Sequence, residues 1–195
     1  MNEMTTKKNE TLTTYVGDVH ALVTHGLKAV ERQVENLSHV SHKDAKPAVL
    51  EGKRVLEAQK SALEARLKAL GGSATAPVKD AVAAVAGIAA GLINAVRPSE
   101  TVKSLRDDAT FFSGLGVAYL LLYTTASGLG DAETSSLAQR GYEDTARMVM
   151  HLDRILPKIT VEELREQKLD VSEVSDRVKA MVVKAWDRTA TSASI

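Results

Sequence analysis

Apolar residues recur along this chain at three- and four-residue steps, with polar residues filling the intervals. From about Thr11 to Ser38, Val16, Val19, Val23, Leu27, Val30, Val34 and Leu37 form one stripe, the pattern of an amphipathic helix. A second stripe of Val49, Leu56, Leu63, Leu67 and Leu70 predicts a helix over about 44–70. Asp44 is its expected N-cap, Pro47 lies in its first turn, and Gly71 supplies the stop. After "GGSATAP", the residues Val82, Val85, Ile88, Ala89, Leu92 and Val96 predict a shorter helix whose other side is kept small by Ala84, Gly87, Gly91 and Asn94. Pro98 breaks the chain there, and Ser99 can cap the next helix.

That next helix carries no charged residue between Asp108 and Asp131. The run meets the ~20 residues that a membrane helix needs. Four glycines with Ser113, Thr124, Thr125 and Ser127 dilute it, and acidic rather than basic residues flank it. A helix apolar all round is also what the most buried member of a bundle looks like, and the amphipathic stripes on either side need such a partner. The expectation is therefore a dry central helix. Asp131 is the expected cap of a fourth long helix running to about Leu156, with Ala138, Tyr142, Thr145, Val149, Leu152 and Leu156 inward. Beyond Pro157, "TVEE" reads as a capping box, Thr160 as cap and Glu163 three residues on, opening a short helix. A last amphipathic helix carries Val174, Val178, Met181, Val182 and Ala185 on one side.

Composition narrows the function. The 195 residues are 44% hydrophobic and 26% charged, with only 4% aromatic, the balance of a soluble globular domain built from helix formers. Lys plus Arg and Asp plus Glu both number 25, so no net field draws the chain to nucleic acid or to an anionic membrane. The absence of cysteine excludes disulfides, thiolate zinc sites and Cys nucleophiles. The polar start "MNEMTTKKNETLTT" has no apolar signal core, and a cytoplasmic location is expected.

Two long helices, a crossover, and two more long helices are the layout of ferritin-like bundles. The segments "YVGDVHALVTHGLKAVERQVENL", "VLEAQKSALEARLKALGG", "LRDDATFFSGLGVAYLLLYTTASGLGD" and "YEDTARMVMHLDRILP" together resemble the bacterial ferritin-like proteins, including the stress-associated YciF-like group. The resemblance spans residues ~12–158 and rests on layout and core positions. It implies a bundle that, in active members, holds two iron or manganese ions between a Glu on each of two helices and a Glu-x-x-His on each of the others.

This chain departs from that ligand pattern. Val23 occupies the inward centre of the first helix, Glu57 is followed by Lys60, Glu143 is followed by Ala146, and no Glu-x-x-His occurs. A metal-free bundle without cofactor is therefore expected, with iron or manganese as the runner-up. The remaining candidate ligands are His20, Asp108 and Asp153. His20 lies at the margin of its stripe, where a hydrogen-bonded, partly buried imidazole is the reading. His25 lies about 140° away from it and is expected in solvent, as are His39 and His42, while His151 points off the core face. Lys60 stands about 40° from the centre of its stripe. Either it forms a buried ion pair with Asp108 or Asp153, or its ammonium reaches water from the bundle edge. Tyr119, Tyr123 and Tyr142 are expected in or near the core. Val178, Met181, Val182 and Trp186 either dock the last helix on the bundle or form an interaction surface.

The sequence thus predicts an all-α chain: a ferritin-like four-helix bundle over 11–158, a crossover helix between helices 2 and 3, and a C-terminal helical extension over 159–189. Disordered tails are expected at 1–10 and 190–195. The expected function is non-catalytic, structural or interactive, with a homo-oligomer or a protein partner, no nucleic acid and no membrane. The alternatives are a divergent di-metal oxidoreductase or metal store, and a membrane-associated hairpin of 81–96 with 109–130.

Overall fold

The computed structural model describes residues 3–35, 42–72 and 101–192. The described residues form five helices: α1 Glu3–Glu35, α2 Ala45–Ala69, α3 Thr101–Gly128, α4 Ala132–Glu166 and α5 Ser175–Ser192. The expected crossover helix, Ser99, Leu37 and His39 lie outside the described residues.

Cross-helix contacts fix the topology. His20 on α1 meets Glu64 on α2, and Gln33 near the end of α1 meets Asp108 near the start of α3. Gln59 on α2 meets Gly141 on α4, while Thr145 on α4 faces Gly116 on α3. Every adjacent pair is therefore antiparallel, and α2 and α3 run parallel across one diagonal. α2 ends at one end of the bundle and α3 begins at the other. The core is a stack of aliphatic side chains with Phe112 and Tyr119, which are the two largest fully buried residues. Two glycines permit the closest approaches. A Cβ at Gly26 would lie 2.1 Å from the Phe111 ring, and one at Gly141 would lie 2.2 Å from the Tyr119 ring.

Helix ends follow recognisable chemistry. At α2 the amide of Gly72 bonds Leu67 O and that of Gly71 bonds Lys68 O, with Gly71 at φ +82°. This is a Schellman stop. Gly130 (φ 66°) closes α3 in the same way, and so does Lys168 (φ 63°) at the end of α4. Asp131 caps α4 as expected, its side chain accepting from the Thr134 amide.

Several expectations are corrected. Residues 3–10 are helical, so α1 starts well before the expected Thr11. Leu12 is fully buried, and extending an anchored helix through two further turns costs little. Asp44 makes no capping bond; its carboxylate takes Lys158 Nζ at 2.6 Å instead. Pro157 does not end α4, so the boundary expected at 158 falls within one continuous helix. Losing its N–H costs about 3 kcal/mol in an exposed helix, but Ile159 and Val161 beyond it are buried. At the other end of the chain, residues 190–192 belong to α5.

The uncharged helix is also less enclosed than expected. α3 sits at a corner of the four-helix square, so only part of its circumference can face inward. In its most apolar window 33% of residues are buried, while Val117, Leu120 and Leu121 are 59%, 49% and 56% exposed. Tyr123 and Tyr142 are exposed as well. On α4 the inward stripe passes through Gly141 rather than Tyr142, because the Tyr119 ring from α3 already fills that space.

Candidate functional site

The interior of the bundle holds Val23, Leu63, Leu115 and Tyr119, all buried. His20 reaches this region from α1 and is 8% exposed. Its Nε2 lies 3.4 Å from Glu64 Oε1 and 3.5 Å from the Thr24 hydroxyl, so the expected hydrogen-bonded imidazole is what the fold contains. Glu64 also accepts from Lys60 Nζ at 2.5 Å. That bond, with the contribution of His20, holds the Glu64 carboxyl below its usual range.

The ion pair considered for Lys60 with Asp108 or Asp153 does not form. Lys60 is on Glu64. Asp108 accepts from Gln33 Nε2 at 2.8 Å, and Asp153 lies beside Trp186. Burial pushes the Asp108 carboxyl up to about 7, the Gln33 bond opposing and the Asp107 charge assisting. Burial likewise raises Asp153, against the lowering effect of Trp186. His20 and the partner of Asp108, Gln33, are separated by about 20 Å along α1. The candidate ligands His20, Asp108 and Asp153 therefore do not converge. Among the described residues no group of three or more His, Cys, Asp or Glu side chains is placed to hold a metal ion.

Two polar clasps close the ends of the bundle, and the sequence reading missed both. At one end Arg66, with only 11% of its side chain exposed, places Nη2 2.8 and 2.7 Å from the two Asp131 oxygens. Its Nε donates to Thr134 Oγ1 at 2.7 Å, and Nη1 bonds Glu133. Burial would raise the Asp131 carboxyl, but the two Thr134 bonds and the Arg66 charge outweigh it and hold the group low. The missing signal was pairwise: Arg66 and Asp131 lie far apart in sequence and only the α2–α4 pairing unites them.

At the other end His42, expected in solvent, is 4% exposed. Its Nδ1 lies 3.1 Å from Glu162 Oε2, and its Nε2 lies 3.7 Å from Glu163 Oε1 and 4.0 Å from Glu166 Oε2. Glu163 Oε1 also accepts the Val102 amide at 2.9 Å. The capping box read in "TVEE" does not form, because 160–163 lie inside one continuous helix; Glu163 caps the start of α3 instead. Thr160 instead bonds back to Leu156 O. His25 is likewise less solvated than expected. Its Nε2 is buried without a partner, and burial, then the charges of Lys28 and Arg32, lower its pKa.

Among the described residues, two helix faces expose apolar side chains. The outer face of α3 combines Val117, Leu120 and Leu121 with small or hydroxyl residues and has no charge from Thr110 to Gly130. A Cβ added at Gly114 or Gly128 on this helix would meet nothing within 4 Å. On α5, Val178 and Val182 are half-buried, whereas Met181 and Trp186 are 61% and 50% exposed. The expected interaction stripe is thus divided between packing and exposure.

No family model, curated protein or solved structure matches the chain.

Proposed function

We propose that this chain is a non-catalytic, metal-free ferritin-like bundle with a structural or interaction role, and that it self-associates through the outer face of α3. The observation that carries the reading is that face: an exposed, uncharged helix surface with Val117, Leu120 and Leu121 at its centre. Such a surface needs no charge complement, and a second copy presents an identical one about a two-fold axis. The glycines there support close approach by a neighbouring helix, since no described residue lies within 4 Å of a Cβ added at Gly114 or Gly128. The aliphatic bundle centre and the parallel diagonal of α2 and α3 support the ferritin-like, metal-free part of the reading.

The test is light scattering on the native protein and on Leu121→Glu. A defined oligomer that the substitution converts to monomer is expected. Association that survives it, but is lost when Met181 and Trp186 are both changed to Gln, transfers the contact to α5. Elemental analysis of protein purified without chelator tests the rest, because about two iron or manganese atoms per chain contradict a metal-free centre.

One observation favours a second reading. α3 is long and apolar enough to cross a membrane, with a window of mean hydropathy 1.3. Co-sedimentation with lipid vesicles, abolished by Leu121→Glu, would favour membrane contact over self-association.

A further inference from the structure

The outer seam between α2 and α4 opens into a groove of about 450 Å³. Glu51 and Arg54 line it from α2, and Asp144, Arg147, His151 and Arg154 line it from α4. Three guanidinium groups thus face two carboxylates, with an imidazole beside them. Arg147, His151 and Arg154 follow at four- and three-residue steps, which places them on one helix face.

The two carboxylates are already committed. Glu51 takes Arg54 Nε at 2.8 Å and Nη2 at 2.6 Å, and Asp144 takes Arg147. These bonds orient the two guanidinium planes and leave several of the five N–H donors on each unused. Arg154 has no such carboxylate on its own helix, since its neighbours three and four residues away are Met150, His151, Pro157 and Lys158. Lining basic groups up at this spacing costs a few tenths of a kcal/mol per pair.

The groove also selects the kind of anion. A carboxylate offers two oxygens and one charge, whereas a phosphate dianion offers three oxygens and two charges to several guanidinium groups. The floor is apolar, with Val55 and Met148 buried and Met150 38% exposed, so it accommodates an organic substituent as well as an ion. We infer that the α2–α4 groove binds a small phosphomonoester, the phosphate held by Arg54, Arg147 and Arg154 and the organic part lying on Met148, Met150 and Val55.

Calorimetric titration of the full chain with phenyl phosphate tests this directly. One saturable site is expected, tighter than for inorganic phosphate or benzoate. Arg154→Gln and Arg54→Gln should each weaken it by about tenfold. Arg140→Gln, exposed on α4 outside the groove, should leave it unchanged. Absence of saturable binding overturns the inference, as does equal binding of benzoate or full retention in Arg154→Gln. Binding to phosphatidic acid vesicles without binding to phenyl phosphate assigns the groove to a lipid headgroup and overturns the small-molecule form.

Discussion

Gln33 and Asp108 join α1 to α3 inside the bundle, with the amide Nε2 2.8 Å from the carboxyl Oδ1. The other end of the Gln33 amide, Oε1, is buried with no partner. A neutral carboxyl is a donor as well as an acceptor, and a donor is what Oε1 lacks. Burial raises the Asp108 pKa, and the bond from Gln33 opposes that rise.

A pH dependence with a definite sign follows. The folded-state pKa of about 7 lies above the ordinary value of 3.8, so the native state holds its proton over a range where the unfolded chain has lost it. The stability this provides is complete below about pH 4 and is lost progressively as the pH rises to about 7. In Asp108→Asn the amide still accepts from Gln33 but has no such titration. Urea unfolding should show the variant more stable than wild type at pH 7.5, by at least about 1 kcal/mol, with the difference shrinking toward pH 4. A constant difference across that range contradicts a raised Asp108.

The Arg66 clasp should be costly to break from either side. Removing one partner of a buried, hydrogen-bonded pair costs about 3–5 kcal/mol, because the other charge is left without a partner. Arg66→Ala is expected near that range. Asp131→Ala removes the α4 cap as well, which alone is worth about 1 kcal/mol. A double-mutant cycle on the two residues should give a coupling energy of at least about 1 kcal/mol. Additive losses would show that Arg66 is held mainly by Thr134 and Glu133.

These pairs mark where legibility in the sequence ended. The order of the long helices and most of the inward stripes were readable, because a period of 3.6 in apolar residues is a local signal. Gly71 and Asp131 were readable for the same reason. What failed depended on other helices. His42 looked solvated because nothing near it in sequence shows that α4 extends past Pro157 to cover it. Tyr142 looked inward because its own helix does not reveal that Tyr119 occupies the space above Gly141. The uncharged run of α3 gave its length but not its corner position, so its exposed apolar face read as core.

Two glycines give opposite predictions for one substitution. Gly141→Ala drives a methyl into the Tyr119 ring, 2.2 Å away, and overpacking of this kind costs about 1–3 kcal/mol. Gly114→Ala meets nothing within 4 Å and should stabilise the isolated chain by up to about 1 kcal/mol through helix propensity. If α3 is the contact between copies, the same change weakens association. Thermal unfolding and light scattering on Gly114→Ala therefore move in opposite directions, which a face with no partner would not produce.

The stop of α4 is open to improvement. Lys168 adopts φ 63° in a Schellman turn, where α2 and α3 place Gly71 and Gly130. The left-handed conformation costs an ordinary residue roughly 1 kcal/mol relative to glycine. Lys168→Gly should raise stability by up to about that amount in urea unfolding, and Gly71→Lys should lower it by a similar amount. A neutral result at 168 would mean that the Lys168 side chain makes contacts worth as much as the strain.

Glu163 connects two of these elements and separates capping from charge. It accepts the Val102 amide at the start of α3 and lies 3.7 Å from His42 Nε2. Glu163→Gln keeps an acceptor oxygen for Val102 and removes the negative charge. Glu163→Ala removes both. Loss of a cap costs about 0.5–2 kcal/mol, so the alanine variant should unfold earlier in urea and the glutamine variant should lose less than half as much. Hydrogen exchange gives the local readout. The Val102 amide should lose protection in Glu163→Ala and retain it in Glu163→Gln. Equal loss in both variants would assign the role of Glu163 to its charge beside His42, and the start of α3 would then be held by the helix dipole rather than by a cap.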